Sequence, residues 1–102
     1  MKIGVLQRQL RRGWIIQILN FSNGPTNDKL IQSALCRAGH EVTMPTLHAD
    51  LEYLRDKGYI KMTEPADMEL PFPMLVADLT VKAIDLIEGS IEEIGIKFGH
   101  RD

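Results

Sequence analysis

The sequence predicts a mainly α domain carrying one small β-hairpin, an α+β fold. Three observations carry this reading. Leu47, Leu51 and Leu54 form a stripe at helical spacing. Gly39 and Gly58 each stand where a helix should stop, and Pro45 lies between them where the second of those helices should begin. Two short runs, Tyr59 to Thr63 and Leu75 to Leu79, flank a stretch containing Pro65, Pro71 and Pro73, which suits a hairpin with a long tip.

The first helix is expected from about Ile3 to Asn20. In its front half Leu6, Leu10 and Trp14 make one stripe, with Arg8, Arg11 and Arg12 on the other side. In its back half Ile15, Ile16, Ile18 and Leu19 are apolar nearly all round, so that half should be buried. Ser22-Asn23-Gly24-Pro25 makes the turn that follows. Thr26 or Asn27 can cap a second helix, with Asp28 in its first turn. Leu30, Ile31, Ala34, Leu35 and Ala38 supply its inner face, and Cys36 beside them reads as a small packing residue. His40 to Met44 is a turn. The third helix then runs from Pro45 to about Lys57. After the hairpin, Thr80 caps a last helix whose buried face is read as Val81, Ile84, Ile87 and Ile91, ending at Gly89 or Gly95.

This order is that of a winged helix-turn-helix. The helix-turn-helix spans 26–57 and the wing 59–79, inside a single domain over 1–96 with a tail over 97–102. The run TLHADLEYLRDKGYI, followed by LVADLTVKAIDLIEG, resembles winged-helix families of bacteria and phages. In particular it looks like a small winged-helix protein of Mu-like phages and prophages, over roughly Trp14 to Gly89. That resemblance implies DNA binding and control of phage genes, a role in transcription regulation.

At 102 residues and 44% hydrophobic, the chain can bury one core without disulfides. Its lone cysteine gives no internal disulfide, and a cytoplasmic setting is expected. No signal peptide and no membrane span are expected either. The net charge of -2 hides an asymmetry: +4 over 1–20, 0 over 21–63 and -6 over 64–102. A generic DNA binder is basic over its motif. This chain is basic only at its front end.

Thr43, Thr46, His48 and Tyr53 are the candidate groove contacts, and Lys29, Arg37, Arg55, Lys57 and Lys61 the candidate phosphate contacts on double-stranded DNA. The alternative is a solvated helix face. Glu52 and Asp56 on that face would repel phosphate, which keeps a second reading open, a protein-interaction module with the same fold. Its partner would meet the Met-, Phe- and Pro-rich wing loop Met68–Met74, unless Phe72 and Met74 fold back on the domain. Arg8, Arg11 and Arg12 could form a phosphate-binding patch, but are read rather as a solvated face or as partners of Asp85, Glu88, Glu92 and Glu93. The stripes of the first and last helices would pair across a two-fold axis in a homodimer. Cys36, His40 and His48 lack the paired spacing of a zinc site. No metal, cofactor or catalytic constellation is predicted, and the chain is not expected to be an enzyme.

Overall fold

The computed structural model describes residues 3–64 and 74–99. Expectations for 65–73, most of the wing loop, and for 100–102 fall outside the described residues. The described chain is mainly helical, with four helices and one small antiparallel sheet, an α+β arrangement. Its elements are α1 (Ile3–Ser22), β1 (Thr26–Asn27), α2 (Asp28–Arg37), α3 (Met44–Asp56), β2 (Ile60–Thr63), β3 (Val76–Leu79) and α4 (Val81–Glu88).

Side-chain caps start three of these helices. The Asn27 carboxamide oxygen accepts from the N–H of Leu30 at 2.9 Å, and the hydroxyls of Thr43 and Thr80 accept from the N–H groups of Thr46 and Ala83. Pro45 sits in the first turn of α3, where its missing N–H costs nothing. Gly58 has φ 86°, a left-handed conformation that lets α3 pass directly into β2.

The hairpin forms as expected, with Ile60 opposite Leu79 and Thr63 opposite Val76. One strand was not legible. Thr26 and Asn27 pair antiparallel with Ala77 and Val76, so the sheet order is β1-β3-β2. Two residues are too few to show any alternation, and the same pair carries a helix cap, which dominates its sequence signal.

Ile15, Ile16 and Leu19 of α1, Ile31 and Leu35 of α2, and the Leu47-Leu51-Leu54 stripe of α3 meet in one core beneath Tyr59, Ile60 and Ala77. The leucine stripe is fully buried, as its spacing predicts. Other inner faces need correction. Leu30 is 59% exposed, and Cys36 is exposed because it follows Leu35 by one helical step and points away from the core. On α4 the buried residues are Ala83 and Leu86, whereas Val81 is 78% exposed. The helix has only eight residues, and its three β-branched residues at regular spacing suggested a stripe that packing does not use.

The last helix ends at Gly89, and the chain does not leave the domain there. Ser90 N–H donates to Asp85 O at 2.9 Å, turning the chain back toward α1. Lys97 N–H donates to Gln9 O at 3.0 Å, Ile96 is buried, and Phe98 packs against the core. Ordered packing therefore continues past Lys97, where the sequence suggested a tail. Gly13 makes this possible. A side chain at that position would run into the backbone carbonyl of Lys97, so only glycine lets the returning strand of chain lie directly on α1.

Candidate nucleic-acid interface

The helices α2 and α3 are joined by the segment over 38–43. Gln32 Nε2 donates to Val42 O at 2.9 Å and fixes the turn against α2. The leucine stripe faces inward, so Pro45, Thr46, Ala49, Glu52 and Asp56 face outward and are exposed. This is the face that the wheel predicts, with one exception. Tyr53 is half-buried: the Arg12 guanidinium lies 3.7 Å from its ring centroid, and its hydroxyl fits against Gly95.

The candidate groove residues separate into two groups. Thr43 and Thr46 stand together and exposed at the N-terminal end of α3, the Thr43 hydroxyl donating to the Thr46 hydroxyl oxygen at 3.1 Å. His48 and Tyr53 are drawn into the domain instead. His48 Nε2 lies 2.8 Å from Asp28 Oδ2, and Asp28 is only 2% exposed. The same carboxylate oxygen accepts from Leu75 N–H at 3.4 Å, so Asp28 joins α2 to α3 and to the approach to β3.

The candidate phosphate contacts are exposed but spread out. Lys29 and Arg37 lie on α2, Arg55 and Lys57 at the end of α3, and Lys61 on β2. Acids stand close to three of them. Arg55 pairs with Asp56 at 3.3 Å, Lys57 Nζ lies 3.6 Å from Glu93 Oε2, and Lys61 sits opposite Asp78 in the hairpin.

Of the arginines of α1, Arg8 is exposed, whereas Arg11 and Arg12 are neither solvated nor paired with the last-helix acids. Arg11 makes a bidentate pair with Asp50 of α3, its second bond at 3.1 Å, and Arg12 Nε lies 3.7 Å from the same carboxylate. Arg12 Nη1 also donates to Gly95 O at 3.1 Å. The last-helix acids do not take these arginines. Asp50 lies three residues after Leu47 and four before Leu54, so it borders the buried stripe and needs a cation when buried, but its spacing does not say which cation closes over it.

Glu93 gathers the C-terminal segment. It accepts from the Tyr59 hydroxyl at 3.0 Å and lies beside Lys57. Burial would raise the Glu93 carboxyl. The Tyr59 hydrogen bond, a backbone bond at Gly95 and Lys57 together outweigh burial and hold it below its ordinary value. Tyr59 is pushed up to about 12, first by burial and then by its bond to the Glu93 carboxylate.

Among the described residues, no His, Cys, Asp and Glu side chains group to hold a metal ion, and no helix is long and apolar enough to cross a membrane. An apolar groove of about 490 Å³ lies between α1 and α2, lined by Trp14, Ile18, Leu30 and Ala34, with Phe21 92% exposed at its edge. No protein-family model, curated protein or solved structure matches the chain.

Proposed function

We propose that this chain is a winged helix-turn-helix protein that binds double-stranded DNA, in the role its resemblance implies, control of phage or prophage genes in the cytoplasm. The observation that carries the reading is the topology. Two consecutive helices, α2 and α3, are followed directly by the antiparallel pair β2 and β3, and β3 is flanked by β2 and by a short strand placed just before α2. In this reading α3 enters the major groove by its N-terminal end, where Thr43, Thr46 and Ala49 present small, uncharged surface. In the same reading the exposed Lys29 and Arg37 on α2 and Lys61 on β2 meet phosphate. Glu52 and Asp56 lie further along α3 and weaken the approach of the backbone.

Fluorescence polarisation of labelled duplexes, random and genomic, tests this at low and rising salt. Binding that weakens steeply as salt rises supports it. Absence of binding at low salt refutes it.

A second reading has its own observation. The outward face of α3 is acidic at Glu52 and Asp56, while exposed apolar side chains, Phe21 and Leu30, border the groove between α1 and α2. In this reading the chain is a protein-interaction module on the same fold. Its binding would be nearly indifferent to salt.

A further inference from the structure

Asp28 is a buried carboxylate at the meeting point of three segments. It opens α2 and is 2% exposed. Its backbone N–H donates to Leu75 O at 2.9 Å, and its Oδ2 accepts in return from Leu75 N–H at 3.4 Å. The same oxygen lies 2.8 Å from His48 Nε2 on α3. Among the described residues, Asp28 Oδ1 is buried and accepts no hydrogen bond. One carboxylate thus ties the start of α2 to α3 and to the chain entering β3.

A carboxylate in the interior needs a compensating charge. His48 is placed to supply it, since its ring stands at ion-pair distance whenever it carries a proton. The two partners differ in access. The His48 side chain is 32% exposed, so its proton exchanges with solvent while Asp28 stays dry. Imidazole changes charge between about pH 5 and 8. With the proton, the contact is an ion pair to a buried carboxylate. Without it, Asp28 Oδ2 keeps a hydrogen bond from a neutral ring and a long one from Leu75 N–H.

The other charged groups around the pair are exposed. Lys29 follows Asp28 on α2, Glu52 lies one turn after His48 on α3, and Glu64 extends β2 past Thr63. Water weakens their action on the pair. Met74, Leu75 and Val76, on the chain entering β3, carry no charge.

We propose that His48 and Asp28 form a pH-sensitive latch between α3 and the base of the hairpin. When His48 is protonated, the ion pair holds Asp28 Oδ2 where it meets Leu75 N–H, and the latch is closed. When His48 loses its proton, the carboxylate is held less firmly and the chain at Leu75 opens more often. His48 acts here as a sensor inside the domain and not as a reader of bases. The latch stands whether or not α3 meets DNA.

Nuclear magnetic resonance of the full chain between about pH 5 and 8 tests this. The His48 ring and the Leu75 amide should titrate with one shared midpoint. The protection factor of the Leu75 amide, which corrects for intrinsic exchange, should fall by about threefold or more as His48 deprotonates. His48→Gln keeps a neutral N–H donor near the place of Nε2 and has no titrating proton. It should hold Leu75 at the protection of the deprotonated wild type across the whole range. Asp28→Asn should abolish the response at Leu75 while His48 still titrates. Glu52→Gln and Glu64→Gln should leave the response in place. A Leu75 amide indifferent to the titration of His48 in the wild-type chain overturns the proposal. So does a response that persists in His48→Gln, which would assign it to His40 or to a carboxylate, or one that disappears in Glu64→Gln.

Discussion

Asp50 of α3 holds Arg11 of α1 in a bidentate ion pair, and the two side chains are 3% and 14% exposed. Surface pairs contribute little, but one this deep leaves an uncompensated charge when a partner is removed. Asp50→Ala should therefore cost about 3–5 kcal/mol in urea-unfolding free energy, strand both arginines and loosen α1 from α3. A loss under about 1 kcal/mol would show that water screens the pair as it does on a surface.

Gly13→Ala tests the docking of the returning chain on α1. In an ordinary helix interior, alanine in place of glycine gains about 1 kcal/mol. Here the new methyl group meets the Lys97 carbonyl, so the sign should reverse, with a net loss of about 1–3 kcal/mol. Amide exchange should rise at Lys97, whose N–H bonds to Gln9 O. A higher unfolding midpoint with unchanged exchange at Lys97 would mean that the segment does not press on α1.

Tyr59 and Glu93 should shape both limbs of the stability profile. The Glu93 carboxyl is lowered from 4.5 in the folded state, so its contribution is present above pH 4.5 and is lost as the pH falls through the folded value. Tyr59 is raised from 10.0 to about 12, so its contribution is full below pH 10 and is lost as the pH climbs toward 12. Urea-unfolding midpoints across this range should show the acid loss reduced by Glu93→Gln and the alkaline loss reduced by Tyr59→Phe. Variant profiles parallel to that of the wild type at both ends would contradict the assignment.

The acids on the outward face of α3 should oppose DNA. Glu52→Gln with Asp56→Asn should tighten binding to all duplexes at low salt, by about tenfold if each removed charge relieves roughly 0.7 kcal/mol of repulsion. Arg55→Ala should weaken all sequences alike and reduce the salt slope by about one unit. If the double change leaves binding undetected at low salt, α3 does not face DNA, and the protein-interaction reading takes precedence.

Much of α2, α3 and the hairpin strands was legible in the chain because the signals were local. Thr43, Pro45 and Gly58 act on their own turns, and the Leu47-Leu51-Leu54 stripe states which side of α3 is dry whatever it packs against. Short elements were less legible. The two residues of β1 are a strand only because β3 passes beside them. On α4 Ala83 and Leu86 are buried, and Val81 is not, because the neighbours set the angle at which eight residues lie.

The charged groups divide in the same way. Sequence by itself determined that α3 would show Glu52 and Asp56 outward and Thr46 beside its cap, since they lie opposite its apolar stripe, while Tyr53 on the same side was covered only when Arg12 and Gly95 closed over it. Only the tertiary structure decided that Arg11 and Arg12 would meet Asp50, that His48 would turn to Asp28, and that residues past Gly89 would return to α1 over Gly13. Those contacts join residues far apart in the chain. Whether a charge ends in water or in an ion pair depends on which elements close over it, and no spacing along one helix carries that information.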